Sequence, residues 1–319
     1  MSSRLSLLKH PDTFFWATGI EDTFITDPWP STGRTLDEYE LTGHYERWRD
    51  DLKLMADLGV RTVRYGVPWH HINPTREEWD WSFADATLER LLELHIQPIV
   101  DLVHYGLPPW LKNGYLEPDF PNAMAKYAQR LAERFKGRIF CYTPLNEPRV
   151  TAWYCGKLGW WPPYRRGWKG FLAVMLGICR GIVHTVQALK AVDPEIVPVH
   201  VDATDLYETS DTSLNAEVAR RQEIVFLALD LVSGRVSESH SLYEWLLQNG
   251  VTTADLNWFQ TRAVPLDLIG INLYPLFSRK VLLRSAQGLR IRMPYASAEI
   301  VNRLGHLYWE RYRCPVFLA

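Results

Sequence analysis

Four cysteines, Cys141, Cys155, Cys179 and Cys314, are all that 319 residues contain, and no two form a Cys-x-x-Cys pair. That spacing excludes a disulfide scaffold and a cysteine-based zinc site, and it is read as free thiols in a reducing cytoplasm. Charge of one sign is also lacking. With 35 basic and 37 acidic residues the net charge is −2, so no electrostatic case exists for nucleic acid or an anionic membrane as partner. No unbroken apolar run reaches the ~18 residues of a membrane span. Met1 to Pro11 is too short and polar for a secretory leader. The expectation is therefore a cytoplasmic protein with no membrane partner. Low-complexity linkers are missing, so residues 1–319 read as a single domain. Adjacent His70 and His71, placed on an extended loop, are expected to point apart; no metal and no cofactor is expected.

What the chain does have is aromatic content, 13% with 14 Trp, and an alternation of apolar strands with amphipathic helices. The pattern predicts strands over 13–19, 61–69, 97–103, 138–145, 196–201, 266–273 and 314–319. Between them it predicts helices over 45–58, 82–95, 122–136, 168–192, 215–232, 241–249 and 297–312, with a hairpin at 277–293 and a loop over 27–42. The strands are continuously apolar, as in a parallel sheet buried on both faces. Right-handed crossovers then leave a doubly wound sheet or a barrel. A doubly wound nucleotide fold needs a Gly-rich turn after its first strand, and Gly19-Ile20-Glu21-Asp22 is not one. Polar residues instead stand at nearly every strand end: Glu21, Arg64, His104, Asn146, Glu147, Asp202, Asn272 and Tyr274. That distribution favours a (β/α)8 barrel of the TIM type with one central pocket, since such barrels carry their chemistry at the C-terminal ends of the strands.

The organising stretch is Arg138 to Pro148: an apolar strand that ends in Asn146 and Glu147, held between Pro144 and Pro148. Read locally, Glu147 is either a solvated strand end or a carboxylate placed for catalysis.

Thr143-Pro144-Leu145-Asn146-Glu147-Pro148 resembles the Thr-x-Asn-Glu-Pro signature of glycoside hydrolase family 1, the β-glucosidase family. Val103 to Leu111 is similar to that family's His-Trp-x-Leu-Pro-x-Trp-Leu segment. His44-Tyr45, Asp51 to Val60, Val63-Arg64 and Trp69 fit its second barrel unit, and Gly270-Ile271-Asn272-Leu273-Tyr274 its sixth strand. The resemblance implies a retaining β-glycosidase acting on a small-molecule glycoside through two glutamates. It implies Glu147 as general acid/base, Asn146 on the sugar 2-hydroxyl and His104 on a neighbouring hydroxyl. It further implies that Arg64 and Tyr274 orient the nucleophile, although Arg64 could instead pair with Asp101 and Tyr274 could be rim packing. Glu21 stands where the family grips the outer hydroxyls with Gln. Trp153, in a cluster with Tyr154, Trp160, Trp161 and Tyr164, is either a sugar-stacking wall or a packed loop.

Three departures mark a divergent branch. Glu21-Asp22 replaces the Gln, Tyr65-Gly66-Val67-Pro68-Trp69 replaces Ser-x-Ser-Trp, and His104-Tyr105 replaces His-Trp. The largest departure is Pro315 to Ala319, which matches the strand just before the family's nucleophile Glu. The expectation is thus a C-terminally incomplete barrel of about seven βα units that lacks the nucleophile, with Asp202 or Glu21 to consider should the chain act alone. A non-catalytic carbohydrate-binding or scaffold barrel is the alternative. Oligomeric state is not legible.

Overall fold

A computed structural model describes residues 16–20 and 22–319; Glu21 and the first part of the strand expected at 13–19 lie outside the described residues. The strands are β1 (Thr18–Ile20), β2 (Phe24–Ile25), β3 (Leu36–Asp37), β4 (Thr62–Gly66), β5 (Gln97–Asp101) and β6 (Cys141–Thr143). They continue with β7 (Val197–Ala203), β8 (Leu206–Glu208), β9 (Leu268–Asn272), β10 (Arg279–Ser285), β11 (Gly288–Arg292) and β12 (Val316–Leu318). Seven of them form one sheet in the order β1-β4-β5-β6-β7-β9-β12, and every pairing in it is parallel. Strand neighbours follow chain order, which is the topology of a (β/α) barrel. Among the described residues β1 pairs only with β4 and β12 only with β9, so the barrel is incomplete.

The two faces of the sheet bury different side chains. Cys141, Val197, Val199, Val201 and Leu268, with Ile99, Phe140 and Phe317 against them, fill the inside. Alternate residues of the same strands meet the helices, which is why the strands read as unbroken apolar runs. The helix Gly167–Val192 carries the largest share of the outer layer, with Phe171, Met175, Ile178, Ile182 and Val186 all buried. It packs along the Phe120–Arg134 helix, whose buried face repeats at Phe120, Ala123, Met124, Tyr127 and Leu131, the spacing of one helical stripe.

Four features differ from the sequence-based expectation. The Gly167–Val192 helix is long and apolar enough to cross a membrane by length and composition, yet 67% of its apolar window is buried inside this fold. Counting only unbroken runs hid it, because Lys169, Arg180 and Lys190 interrupt the sequence. A second helix, Thr253–Thr261, follows Tyr243–Gln248. The loop expected at 27–42 contains β3 and a short helix, Glu38–Thr42, with β3 pairing antiparallel to β2. The hairpin of β10 and β11 gains a third strand, because β8 runs parallel to β10. None of the four cysteines is in a disulfide, and all are buried.

Candidate active site

The C-terminal ends of β4, β5, β6 and β9 bring one set of polar side chains together. Register does the placing: Gly66 of β4 lies opposite Asp101 of β5, and Asp101 opposite Thr143 of β6. The segment after β6 is pinned on both sides, by Asn146 N–H donating to Val103 O at 2.9 Å and Glu147 N–H to Val201 O at 2.9 Å. Glu147 takes φ 46° and ψ 63°, a left-handed conformation uncommon for any residue but glycine, while Pro148 disfavours the right-handed alternative. Tyr105 is also left-handed, at φ 70°. The two strained residues meet: Tyr105 Oη donates to Glu147 Oε2 at 2.5 Å. Such conformations cost about 1–3 kcal/mol each and persist where the surroundings fix them.

Glu147 Oε1 accepts from Asn272 Nδ2 at 2.6 Å and from Tyr274 Oη at 3.0 Å. Asn146 Oδ1 accepts from Arg64 Nη2 at 2.5 Å, and Asn146 Nδ2 meets His104 Nε2 at 3.0 Å. His104 Nδ1 lies 2.9 Å from Asp101 Oδ2, which also accepts from Arg64 Nη2 at 2.5 Å. With the Asn146 amide oriented by Arg64, Nε2 of His104 is the acceptor and Nδ1 the donor toward Asp101. Arg64, Asp101, His104, Asn146, Glu147 and Asn272 are all buried, and Tyr274 is 41% exposed, so it marks the open side. Two buried acceptors, Asp101 Oδ1 and Asn272 Oδ1, have no hydrogen-bond donor among the described residues.

The expected residues His104, Asn146, Glu147, Arg64 and Tyr274 therefore lie in one network. Tyr274 bonds Glu147 itself, and Arg64 bonds Asp101 and Asn146; the pairing of Arg64 with Asp101 is the alternative the sequence left open. Trp153 makes its ring contacts with Trp168 and Phe171 on the Gly167–Val192 helix, the packed-loop arrangement. Trp161 is the ring that reaches the site, 4.9 Å from Tyr105. Glu21 lies outside the described residues, while Asp22 is buried with Oδ1 3.8 Å from His104 Nδ1. A Cβ at position 66 would fall 1.6 Å from the Asp22 carboxylate, so Asp22 occupies space that only a glycine at 66 leaves open.

Asp202 does not face the site. It lines a crevice on the helix side of β7 with Pro148, Ile182, Ala228 and His200. Burial pushes its carboxyl up to about 8; Arg149 opposes this and Glu147 adds to it. Burial holds His200 down to about 4. Sequence reasoning gave no role to Tyr105 and only a strand-end position to Asn272. The signal for Asn272 was its place beside Tyr274; Tyr105 carried none beyond its departure from Trp. The adjacent histidines also differ from expectation: Trp69–Ile72 is a single helical turn, and the rings of His70 and His71 lie 4.4 Å apart.

Comparison with known proteins agrees with this architecture. The sequence profile of Glycosyl hydrolase family 1 matches residues 17–233. A bifunctional β-D-glucosidase/β-D-fucosidase of Bifidobacterium breve is 35% identical over 149 residues, 43% of this chain and 32% of that protein. Thermostable β-glucosidase B of Thermobispora bispora is 32% identical over 166 residues, 46% of this chain and 35% of that protein. The matched stretch thus spans about a third of the length of these relatives. The solved family 1 β-glucosidase of Thermotoga maritima superimposes with a TM-score of 0.82 at 19% identity, over 97% of this chain and 78% of that one. At that identity the likeness shows the fold.

Proposed function

This chain belongs to glycosyl hydrolase family 1, and on that premise we propose that the Glu147 site is the acid/base half of a retaining β-glycosidase of the β-glucosidase type. The observation that carries the proposal is the Glu147 carboxyl, buried at the strand ends between Tyr105 on one oxygen and Asn272 and Tyr274 on the other. In such a reaction Glu147 hands a proton to the leaving oxygen and later removes one from water. Asn146 and His104 bind sugar hydroxyls beside it, and Asp101 Oδ1 and Asn272 Oδ1, without a donor among the described residues, suit hydroxyl donors. The family resemblance assigns the outer hydroxyls to Glu21, and Trp161 rather than Trp153 supplies the aromatic wall.

A retaining site needs a second carboxylate about 5–5.5 Å from the first. Asp101 and Asp22 are turned toward Arg64 and His104. We place the nucleophile outside residues 1–319. The test is hydrolysis of an aryl β-glycoside by residues 1–319 and by a chimera that adds the final strand–helix unit of a family 1 relative. Residues 1–319 should turn over barely, and the chimera faster by orders of magnitude. Glu147→Gln in the chimera should lose roughly 10²–10⁴-fold. Efficient turnover by residues 1–319, abolished by the same substitution, would contradict the nucleophile assignment. Sugar binding without turnover in the chimera would favour a non-catalytic carbohydrate-binding barrel.

A further inference from the structure

We propose that Asp37, His70 and His71 form a binding site for one divalent transition-metal ion of the zinc type, clamping β3 to the turn after β4. His70 Nε2 lies 3.3 Å and His71 Nε2 3.8 Å from the same Asp37 Oδ2, and the three ligand atoms all lie within 4.8 Å of one another. Bonds of about 2.0–2.1 Å at a tetrahedral angle put ligand atoms roughly 3.3–3.5 Å apart, so the two His–Asp distances need to change little and the widest pair must close by up to about 1.4 Å. A hydrogen bond explains His70 against Asp37. His71 Nε2, at 3.8 Å from the same oxygen, lies beyond hydrogen-bond reach.

Asp37 is oriented by hydrogen bonds, as ligands at metal centres are, and the two rings are positioned by packing. Asp37 Oδ1 accepts from Glu40 N–H at 3.0 Å, and Oδ2 from Tyr45 Oη at 2.9 Å. The His71 ring stacks on Tyr45, 4.9 Å away and 22° from parallel. The His70 ring rests on Phe24 at 4.6 Å. His71 is 50% exposed, which leaves a path in and room for a fourth ligand from water. Two imidazoles and one carboxylate with an open position suit Zn²⁺, with Co²⁺ as its spectroscopic substitute.

The test is calorimetric titration of chelator-treated protein with ZnCl₂, with Co²⁺ absorption and the thermal midpoint read in parallel. Wild type should bind one ion, show a tetrahedral Co²⁺ spectrum and melt higher with zinc. His70→Ala and His71→Ala should each weaken binding tenfold or more, and Asp37→Asn, which keeps the acceptor for Glu40 N–H, should do the same. The exposed His71→Ala variant should melt as metal-free wild type does, which separates lost binding from lost folding. Binding in Glu147→Gln should equal wild type, so the outcome is independent of the glycosidase proposal. Absence of stoichiometric zinc binding, or binding unaltered in both histidine variants, would overturn the site.

Discussion

Asp202 and His200 alternate on the helix side of β7, and both are held neutral by burial. Asp202 keeps its proton up to about 8, whereas an unfolded Asp releases it near 3.9. Between those values the folded state binds the extra proton, so stability falls as pH rises. His200 acts in the opposite direction: between about 4 and the unfolded value near 6.5 the unfolded state binds the extra proton, and stability rises with pH. Asp202→Asn should therefore remove a downward slope extending to about pH 8, of at most about 1.4 kcal/mol per pH unit. Urea unfolding of both proteins from pH 4 to 9 checks this; parallel curves would refute it. At Asp101 the stakes are stability as well as function, because one oxygen faces both Arg64 and His104. Asp101→Ala should cost about 3–5 kcal/mol, the usual result of removing one partner from a buried pair, with Asp101→Asn costing less. Equal losses in the two variants would mean that charge is not what matters there.

At the scale of elements, the aromatic segment over the barrel mouth is held by a close backbone approach. A Cβ on Gly156 would meet Gly170 O at 2.5 Å, and one on Gly170 would meet Gly156 O at 2.4 Å. These two glycines let the backbone of the widened helical turn Trp153–Leu158 approach the Gly167–Val192 helix this closely. Gly156→Ala should lose about 1–3 kcal/mol through overpacking and displace Trp161 from Tyr105, seen as changed Trp fluorescence. An unchanged melting curve and spectrum would show that the contact gives way cheaply. The Thr253–Thr261 helix was missed in the sequence for a specific reason. Its capping box closes with Asp255 rather than Glu or Gln, and its apolar stripe is weak. Thr252→Ala should cost about 0.5–2 kcal/mol.

At the scale of the whole molecule, the sheet grades from a doubly paired middle to singly paired ends. Among the described residues β6, β7 and β9 have neighbours on both sides, whereas β1 and β12 have one each. Hydrogen exchange should follow that order, with β7 amides exchanging slowest and those of β1 and β12 fastest, since half of an edge strand's backbone groups lack a ladder partner. Equal protection across the sheet would indicate that the ends are covered in solution. The long apolar helix shows the same dependence on context. Its composition suits lipid, and this fold gives it a protein surround instead.

The sequence by itself determined the alternation of strands and helices, the parallel buried sheet, and the arrival of Asn146, Glu147, His104, Arg64 and Asn272 at one end of it. These follow from periodicity and from where each apolar run stops, which are local properties. Only the tertiary structure decided partners. Strand register set Asp101 against Arg64 and His104, and brought Tyr105 and Tyr274 onto Glu147 from segments 42 and 127 residues away. A single turn of helix, where an extended loop was expected, set His70 and His71 side by side against Asp37. Distances between side chains on different strands depend on register and turn geometry, and neither is encoded in the spacing along one strand.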